Sequence, residues 1–245
     1  MLKSRNEFTK RLLKESDITE GSRVLDVGCG TGAVTVLVSN IVGLKGKVIG
    51  IDNNEDLIKA AQNNIQQENI TFLEGDFNNL NKNLGLFDCI IGRRVLMYNN
   101  LDNIANLLPF LKNKGELIFH ESDSNIPSVN NKMTYHSRAQ EIIWKTLKKE
   151  DVDIETGSKL YSTYKNLNLK VEKVLSEQHI QTSETGSDLG WLLESMKEQI
   201  LKHGIVDEKF DFEFFKEKIN DELSNSNQMF VREVNYGIIG RKIKL

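Results

Sequence analysis

Val24-Leu25-Asp26-Val27-Gly28-Cys29-Gly30-Thr31-Gly32-Ala33 decides how this chain folds. Arg23–Val27 reads as a buried strand that runs straight into glycines, which let the backbone turn sharply and let a ligand approach the main chain closely. The residues that follow, Val34–Ser39 with Ile41 and Val42, read as a helix. Outward from this unit the first half keeps alternating short apolar runs with helical patterns, the mark of βαβ units and a parallel sheet. Further strands are expected at Lys47–Asp52, Ile70–Glu74, Phe87–Ile91 and Glu116–His120. Between them, Asn53 or Asn54 can cap a helix with Glu55 and Asp56 in its first turn and Leu57, Ile58, Ala61 and Ile65 on one face. Ile104, Leu107, Leu108 and Leu111 repeat at helical spacing before Lys114-Gly115.

The second half breaks that rhythm. Helical patterns run from about Asn131 to Lys149, from Ser158 to Asn166, from Asp188 to His203 and from Phe210 to Leu223. A late strand is expected at Lys170–Ser176, and Met229–Val231 with Tyr236–Ile243 can supply a last one. This pattern predicts one α/β domain over 1–245. Its ligand-binding core is 18–122, helical insertions at 123–168 and 178–226 form a cap, and late strands lie at 169–177 and 227–245. No Gly/Ser-rich linker divides the chain, and the two prolines are Pro109 and Pro127.

The 245 residues are 39% hydrophobic and 27% charged, and no run approaches the roughly 20 apolar residues of a membrane helix. The opening residues lack the apolar stretch of a signal peptide, so a reducing cytoplasmic setting is expected. Thirty-two Lys and Arg against 35 Asp and Glu give net −3, which disfavours binding along a phosphate backbone. Cys29 and Cys89 sit in apolar stretches, where they pack as small hydrophobes. No His, Cys, Asp or Glu spacing resembles a metal site.

The glycines alone are ambiguous, because Gly28, Gly30 and Ala33 also satisfy the dinucleotide fingerprint. Asp52, ending the second strand, serves either reading as an acceptor for ribose hydroxyls. Asp26 separates the two. A carboxylate beside a pyrophosphate meets a like charge at about 1 to 4 kcal/mol per pair. A cationic sulfonium with a free amino group meets no such cost, and S-adenosylmethionine (SAM) is that ligand. The plainer alternative is that Asp26 only organises the loop through backbone N–H groups. After the third strand, Glu74-Gly75-Asp76-Phe77 puts another carboxylate at the same sheet edge. Asp76 can accept from an adenine amino group and Phe77 can cover the base; otherwise Asp76 caps a turn and Phe77 is core.

With these residues, Val24–Gly32, Val48–Asp52, Glu74–Phe77, Phe87–Met97 and Lys114–Phe119, the chain resembles the class I SAM-dependent methyltransferases over about 18–122. The likeness is weaker through Glu155–Leu160. Ile91–Tyr98 and Phe119–Asp123 resemble a bacterial small-molecule subgroup of that family. The resemblance implies a Rossmann-like, seven-stranded, mostly parallel sheet with helices on both faces and a late reversed strand. It also implies that Gly28 and Gly30 approach the methionine part of SAM, Asp52 the ribose, and Asp76 and Phe77 the adenine. Arg93 would help form the methionine pocket through its backbone. The candidate cofactor residues are thus Asp26, Gly28, Gly30, Gly32, Asp52, Asn53, Asp76, Phe77 and Arg93, with S-adenosylhomocysteine (SAH) as product.

The acceptor expected is a small molecule. Base-amino methyltransferases carry an Asn/Asp-Pro-Pro-aromatic motif after the fourth strand, where this chain has Gly92-Arg93-Arg94-Val95. Neither cysteine suits a cytosine-C5 nucleophile. Candidate general bases are Glu121, His120 and Asp123 after the fifth strand; Glu121 and His120 point to opposite faces, so one of the two is expected to face the substrate, and Glu121 is favoured. On the long helical pattern, His136 and Gln140 interrupt an apolar stripe of Met133, Ile143, Trp144 and Leu147, which fits substrate contact or a partly exposed edge. Two rival readings are a SAM-binding regulatory protein without turnover and an NAD(P)-dependent oxidoreductase. No membrane or nucleic-acid partner is expected, and a homodimer is compatible with the composition.

Overall fold

Strand β1 (Arg23–Val27) lies inside the sheet, and its residues show why. Val24, Leu25 and Val27 are all fully buried, as they must be in a parallel strand covered on both faces. In the computed structural model, which describes residues 2–125 and 133–243, β1 pairs in parallel with β2 (Lys47–Asp52) and β4 (Phe87–Arg93). Strand β3 (Ile70–Glu74) pairs in parallel with β2, and β5 (Leu111–Asp123) with β4. Strands β7 (Phe230–Lys242) and β6 (Leu169–Gln181) complete a seven-stranded, mostly parallel Rossmann-like sheet in the order β3-β2-β1-β4-β5-β7-β6. The direction of winding reverses between β1 and β4, which is where open α/β sheets bind ligands.

Helices cover both faces. On one, α1 (Leu2–Lys14) and α2 (Ala33–Val42) bury Leu12, Leu13, Val34, Val38 and Val42 against Val24, Val48, Ile91 and Ile118. On the other, Leu25, Ile49, Ile90, Leu117 and Phe119 pack with Ile104 and Leu107 of a 3₁₀ helix (Leu101–Phe110). Helix α3 (Glu55–Asn64) begins where Asn54 accepts from Asp56 N and Leu57 N at 3.0 and 3.1 Å, with Glu55 and Asp56 complementing its dipole.

The chain divides into two compact units. The larger comprises Leu2–Glu121, Thr156–Ser176 and Tyr236–Leu245, and holds these two packed faces. The smaller comprises Ser122–Glu155 and Glu177–Asn235. Its helices are α4 (Thr134–Lys149), α6 (Leu189–Ser195), α7 (Lys197–Lys202) and α8 (Phe212–Asn225). They share their own core of Ala139, Ile142, Ile143, Leu189, Leu193, Ile200, Ile219 and Leu223.

Several boundaries differ from the sequence expectation. Helix α5 (Thr156–Asn166), expected among the helical insertions, belongs to the larger unit. Its Leu160 and Tyr164 enter the sheet core, and the Tyr164 hydroxyl donates to Leu117 O at 3.3 Å. The pattern around Ile104 and Leu107 forms a 3₁₀ rather than an α-helix. It contains Pro109 and gives way at Leu111 to a strand that begins earlier than Glu116. The helical pattern from Asp188 to His203 is split at Met196 into α6 and α7. Helix α1 was not anticipated. Asn131, the expected start of the long helix, lies outside the described residues.

Candidate functional site

Beyond the carboxyl ends of β1, β2 and β4 lies a cavity of about 580 Å³, within the range of small-molecule and cofactor pockets. It is lined by Gly28 and Gly30 after β1, by Asp52, Asn53 and Asn54 after β2, by Asp76 and Phe77 after β3, and by Arg94, Val95 and Tyr98 after β4. The glycine loop forms its floor. Gly28 and Gly30 have φ of 64° and 53°, the left-handed region that a side chain resists. A Cβ on Gly28 would also collide with the Val95 side chain, whereas one on Gly30 would meet nothing within 4 Å. Gly28 is therefore demanded by packing and Gly30 by its backbone conformation.

Three N–H groups of this loop are engaged by the protein itself. Gly30 N donates to Asp52 Oδ2 at 2.8 Å, Cys29 N to Ile51 O at 3.0 Å and Gly32 N to Cys29 O at 2.9 Å. A pyrophosphate needs such groups pointing at it. Asp52 also accepts from Asn54 N at 2.9 Å through Oδ1, so its carboxylate is held by two backbone groups while each oxygen keeps a further lone pair. Asp76 Oδ1 accepts from Asn78 N at 2.8 Å, capping the short 3₁₀ turn that begins with Phe77. Its capping role and its place on the cavity wall coexist. Phe77 is buried and shows one face to the cavity.

Three of the expected cofactor residues stand elsewhere. Asp26 shares a strand face with Val24, so the pleat turns it toward α2 and away from the sheet edge. It is almost fully buried, accepts from the Thr35 hydroxyl at 2.6 Å, and does not line the cavity. Burial pushes its carboxyl up to about 7, only partly offset by the Thr35 hydrogen bond and the nearby Arg93. The ring of Asp26, Asp52 and Asp76 expected from the sequence therefore reduces at the cavity to Asp52 and Asp76. The Arg93 side chain points inward, its Nη1 donating to Asn6 Oδ1 at 2.7 Å and to Thr9 Oγ1 at 3.3 Å, so only its backbone is left for the expected role in the methionine pocket. Arg94, with φ of 55°, turns the chain outward and lines the cavity in its place. Gly32 is set by packing, since a Cβ there would press on Ile65 and Phe72.

The candidate bases are not presented to the cavity either. His120 is fully buried on the α1 side, where Nδ1 lies 3.0 Å from Thr9 Oγ1 and the ring packs edge-on to Phe8 at 4.6 Å. Glu121 is also fully buried. Its Oε1 accepts from Val95 N at 2.9 Å and Leu96 N at 3.0 Å, which pins the loop after β4 that forms one cavity wall. Desolvation raises its carboxyl to about 7 against those two hydrogen bonds and the charge of Arg94. His136 belongs to the core of the smaller unit, bonded to Glu222 at 2.8 Å. Both cysteines are buried, with their thiols pushed up by desolvation.

A family model described as a methyltransferase domain matches residues 18–198. Demethylmenaquinone methyltransferase of Staphylococcus saprophyticus is 38% identical over 74 residues, which are 30% of this chain and 32% of that protein. The chain thus matches about a third of the length of the first curated relatives. Among solved structures, a Bacillus halodurans protein named as a candidate methyltransferase superposes with TM-score 0.64 at 16% identity, covering 96% of this chain and 98% of that one. A geranyl diphosphate methyltransferase in complex with SAM gives TM-score 0.60 at 11% identity, covering 97% and 85%. At such identities these two likenesses speak for the fold.

Proposed function

The chain belongs to the methyltransferase-domain family, and from that premise we propose that it transfers the methyl group of SAM to O, N or C of a small-molecule acceptor, leaving SAH. The observation that carries the cofactor assignment is a glycine loop with three N–H groups already engaged, beside two carboxylates. The N–H groups of Cys29, Gly30 and Gly32 are all engaged by the protein itself, while Asp52 and Asp76 line the cavity. That combination suits a phosphate-free nucleoside with a positive charge and disfavours a dinucleotide, whose pyrophosphate would meet carboxylates at about 1 to 4 kcal/mol each.

The residues divide the cofactor between them. Asp52 offers its remaining lone pairs to ribose hydroxyls, and Asp76 accepts from the adenine amino group above the Phe77 face. Gly28 and Gly30 leave room for the methionine portion, and Arg94 supplies positive charge for its carboxylate. When bound, SAM supplies an electrophilic methyl on a sulfonium. The chain's part is then to hold the acceptor in line, an effect that reaches effective molarities of about 10⁵–10⁸ M. With Glu121 and His120 buried away from the cavity, orientation rather than a base from β5 carries the acceleration.

The net charge of −3 and the small-molecule names of the curated relatives support a metabolite acceptor. Incubation with methyl-labelled SAM and a metabolite extract tests the reading. Label should appear in a small-molecule product, and Asp52→Ala should lower SAM affinity at least about tenfold through the lost hydroxyl bonds. Saturable SAM binding with no label transferred to any fraction would leave a binding protein and overturn the enzyme assignment.

A further inference from the structure

The smaller unit holds a cluster of buried polar atoms that its own fold leaves unmatched. Asp188, just before α6, accepts through Oδ1 from Arg232 Nε at 3.3 Å and from Gln181 Nε2. The pair is used only by half. Asp188 Oδ2 and Arg232 Nη1 have no hydrogen-bond partner, although the two side chains are only 9% and 5% exposed. An acceptor and a donor therefore stand side by side with their capacity unspent.

Helix α4 faces the same place. Its N-terminal groups Tyr135 N and His136 N are capped by Glu222, which also takes His136 Nδ1 at 2.8 Å. Burial lowers the proton affinity of His136 despite Glu222 and the nearby charge of Asp188, so the ring is neutral. With Nδ1–H donating to Glu222, Nε2 is an acceptor, and it too is buried without a partner. One helical turn further on, Gln140 Oε1 is in the same state. The His136 ring lies 5.1 Å from that of Phe230, and Phe230 shares a face of β7 with Arg232, two residues on. Strand β7, helix α4 and the start of α6 thus bring these side chains to one region beside the apolar core of the smaller unit.

We propose that His136, Gln140, Asp188 and Arg232 form a binding site for a small amine that carries a neighbouring oxygen acceptor, as an amino alcohol does. Among these four residues, three unmatched acceptors against one donor call for a ligand that donates more than it accepts. An ammonium group has three N–H donors for them, and a hydroxyl or carbonyl oxygen takes the Arg232 N–H. Charge agrees, since Asp188 and Glu222 outnumber Arg232 and the imidazole is neutral. A buried polar group left unpaired destabilises a fold, so four of them in one core mark a place shaped for something other than folding. The site goes beyond the methyl-transfer reading and needs no cofactor to bind its ligand.

Saturation-transfer NMR on the purified full chain, with ethanolamine as probe and ethylamine and acetate as controls, tests this without SAM. Ethanolamine should saturate and should bind more tightly than either control, which each lack one half of the match. Asp188→Asn keeps an acceptor for Arg232 and Gln181 while turning Oδ2 into a donor, and should weaken ethanolamine at least about tenfold. Gln140→Leu should weaken it as well, while leaving the melting temperature at or above that of the wild type. The site is refuted if the wild type shows no transfer from ethanolamine. Equal binding by both folded variants and the wild type refutes it too. Either result leaves the methyl-transfer reading untouched, and loss of SAM binding leaves this site untouched.

Discussion

Replacing Glu121 by leucine should damage the cofactor cavity without touching it. The carboxylate does not line the cavity, yet its Oε1 is the acceptor for Val95 N at 2.9 Å and Leu96 N at 3.0 Å. Leucine fills a similar volume and accepts nothing, so both N–H groups lose their partner. Each orphaned buried donor costs about 1–3 kcal/mol, so the wall is destabilised by at least about 2 kcal/mol. The loop can relieve that cost by moving toward water. It then withdraws Val95 from Gly28 and Arg94 from the cavity. If the cost appears as lost affinity, SAH binding falls about 30-fold. Glu121→Gln keeps an acceptor at the same place and should stay within about fivefold of the wild type, because neutral hydrogen bonds are weaker than charged ones. Isothermal calorimetry with SAH on both variants, beside their melting curves, reads the two effects separately. The reasoning fails if Glu121→Leu melts normally and binds SAH within about twofold of the wild type.

Other consequences follow from the same geometry. Asp26 has its carboxyl raised from 3.8 to about 7, so its contribution to stability is complete below pH 3.8 and is lost as the pH rises through 7. Asp26→Asn should therefore gain stability over the wild type above pH 7, by at most about 4 kcal/mol, with the two curves converging in acid; urea unfolding at pH 4.5 and pH 8 checks the sign. Gly28→Ala forces a side chain into a left-handed φ of 64° and against Val95, and should cost about 1–3 kcal/mol of stability together with most SAH affinity. Normal melting and normal binding of that variant would show that the loop is not packed as described.

The sheet was legible because buried parallel strands have a plain signature. Val24-Leu25-Asp26-Val27 and Val48-Ile49-Gly50-Ile51 are continuous short runs closed by turn residues, and β1, β2 and β3 match their expected limits. Asp52 and Asp76 were legible for the same reason, as acids at strand ends must emerge at the ligand edge. Asp26 was not. It lies inside the strand, where the pleat rather than the sequence position decides its direction, and Thr35 nine residues later was the available sign of its partner. Arg93 and Arg94 could not be told apart from composition, because one left-handed residue sends the second out where the first goes in. Glu121 looked like a base because acids at sheet edges often are. Its engagement by Val95 and Leu96 depends on how the neighbouring strand ends, which no local pattern encodes. Helix α1 hides its apolar face, Phe8, Leu12 and Leu13, among charges, and its long-range partner His120 is 111 residues from Thr9.

The cofactor assignment is tested most directly by titrating the purified chain with SAH and with NAD in the same calorimeter. A single saturable SAH site, abolished by Asp52→Ala, with no heat from NAD, is the predicted outcome. Saturable NAD binding with no response to SAH would contradict it.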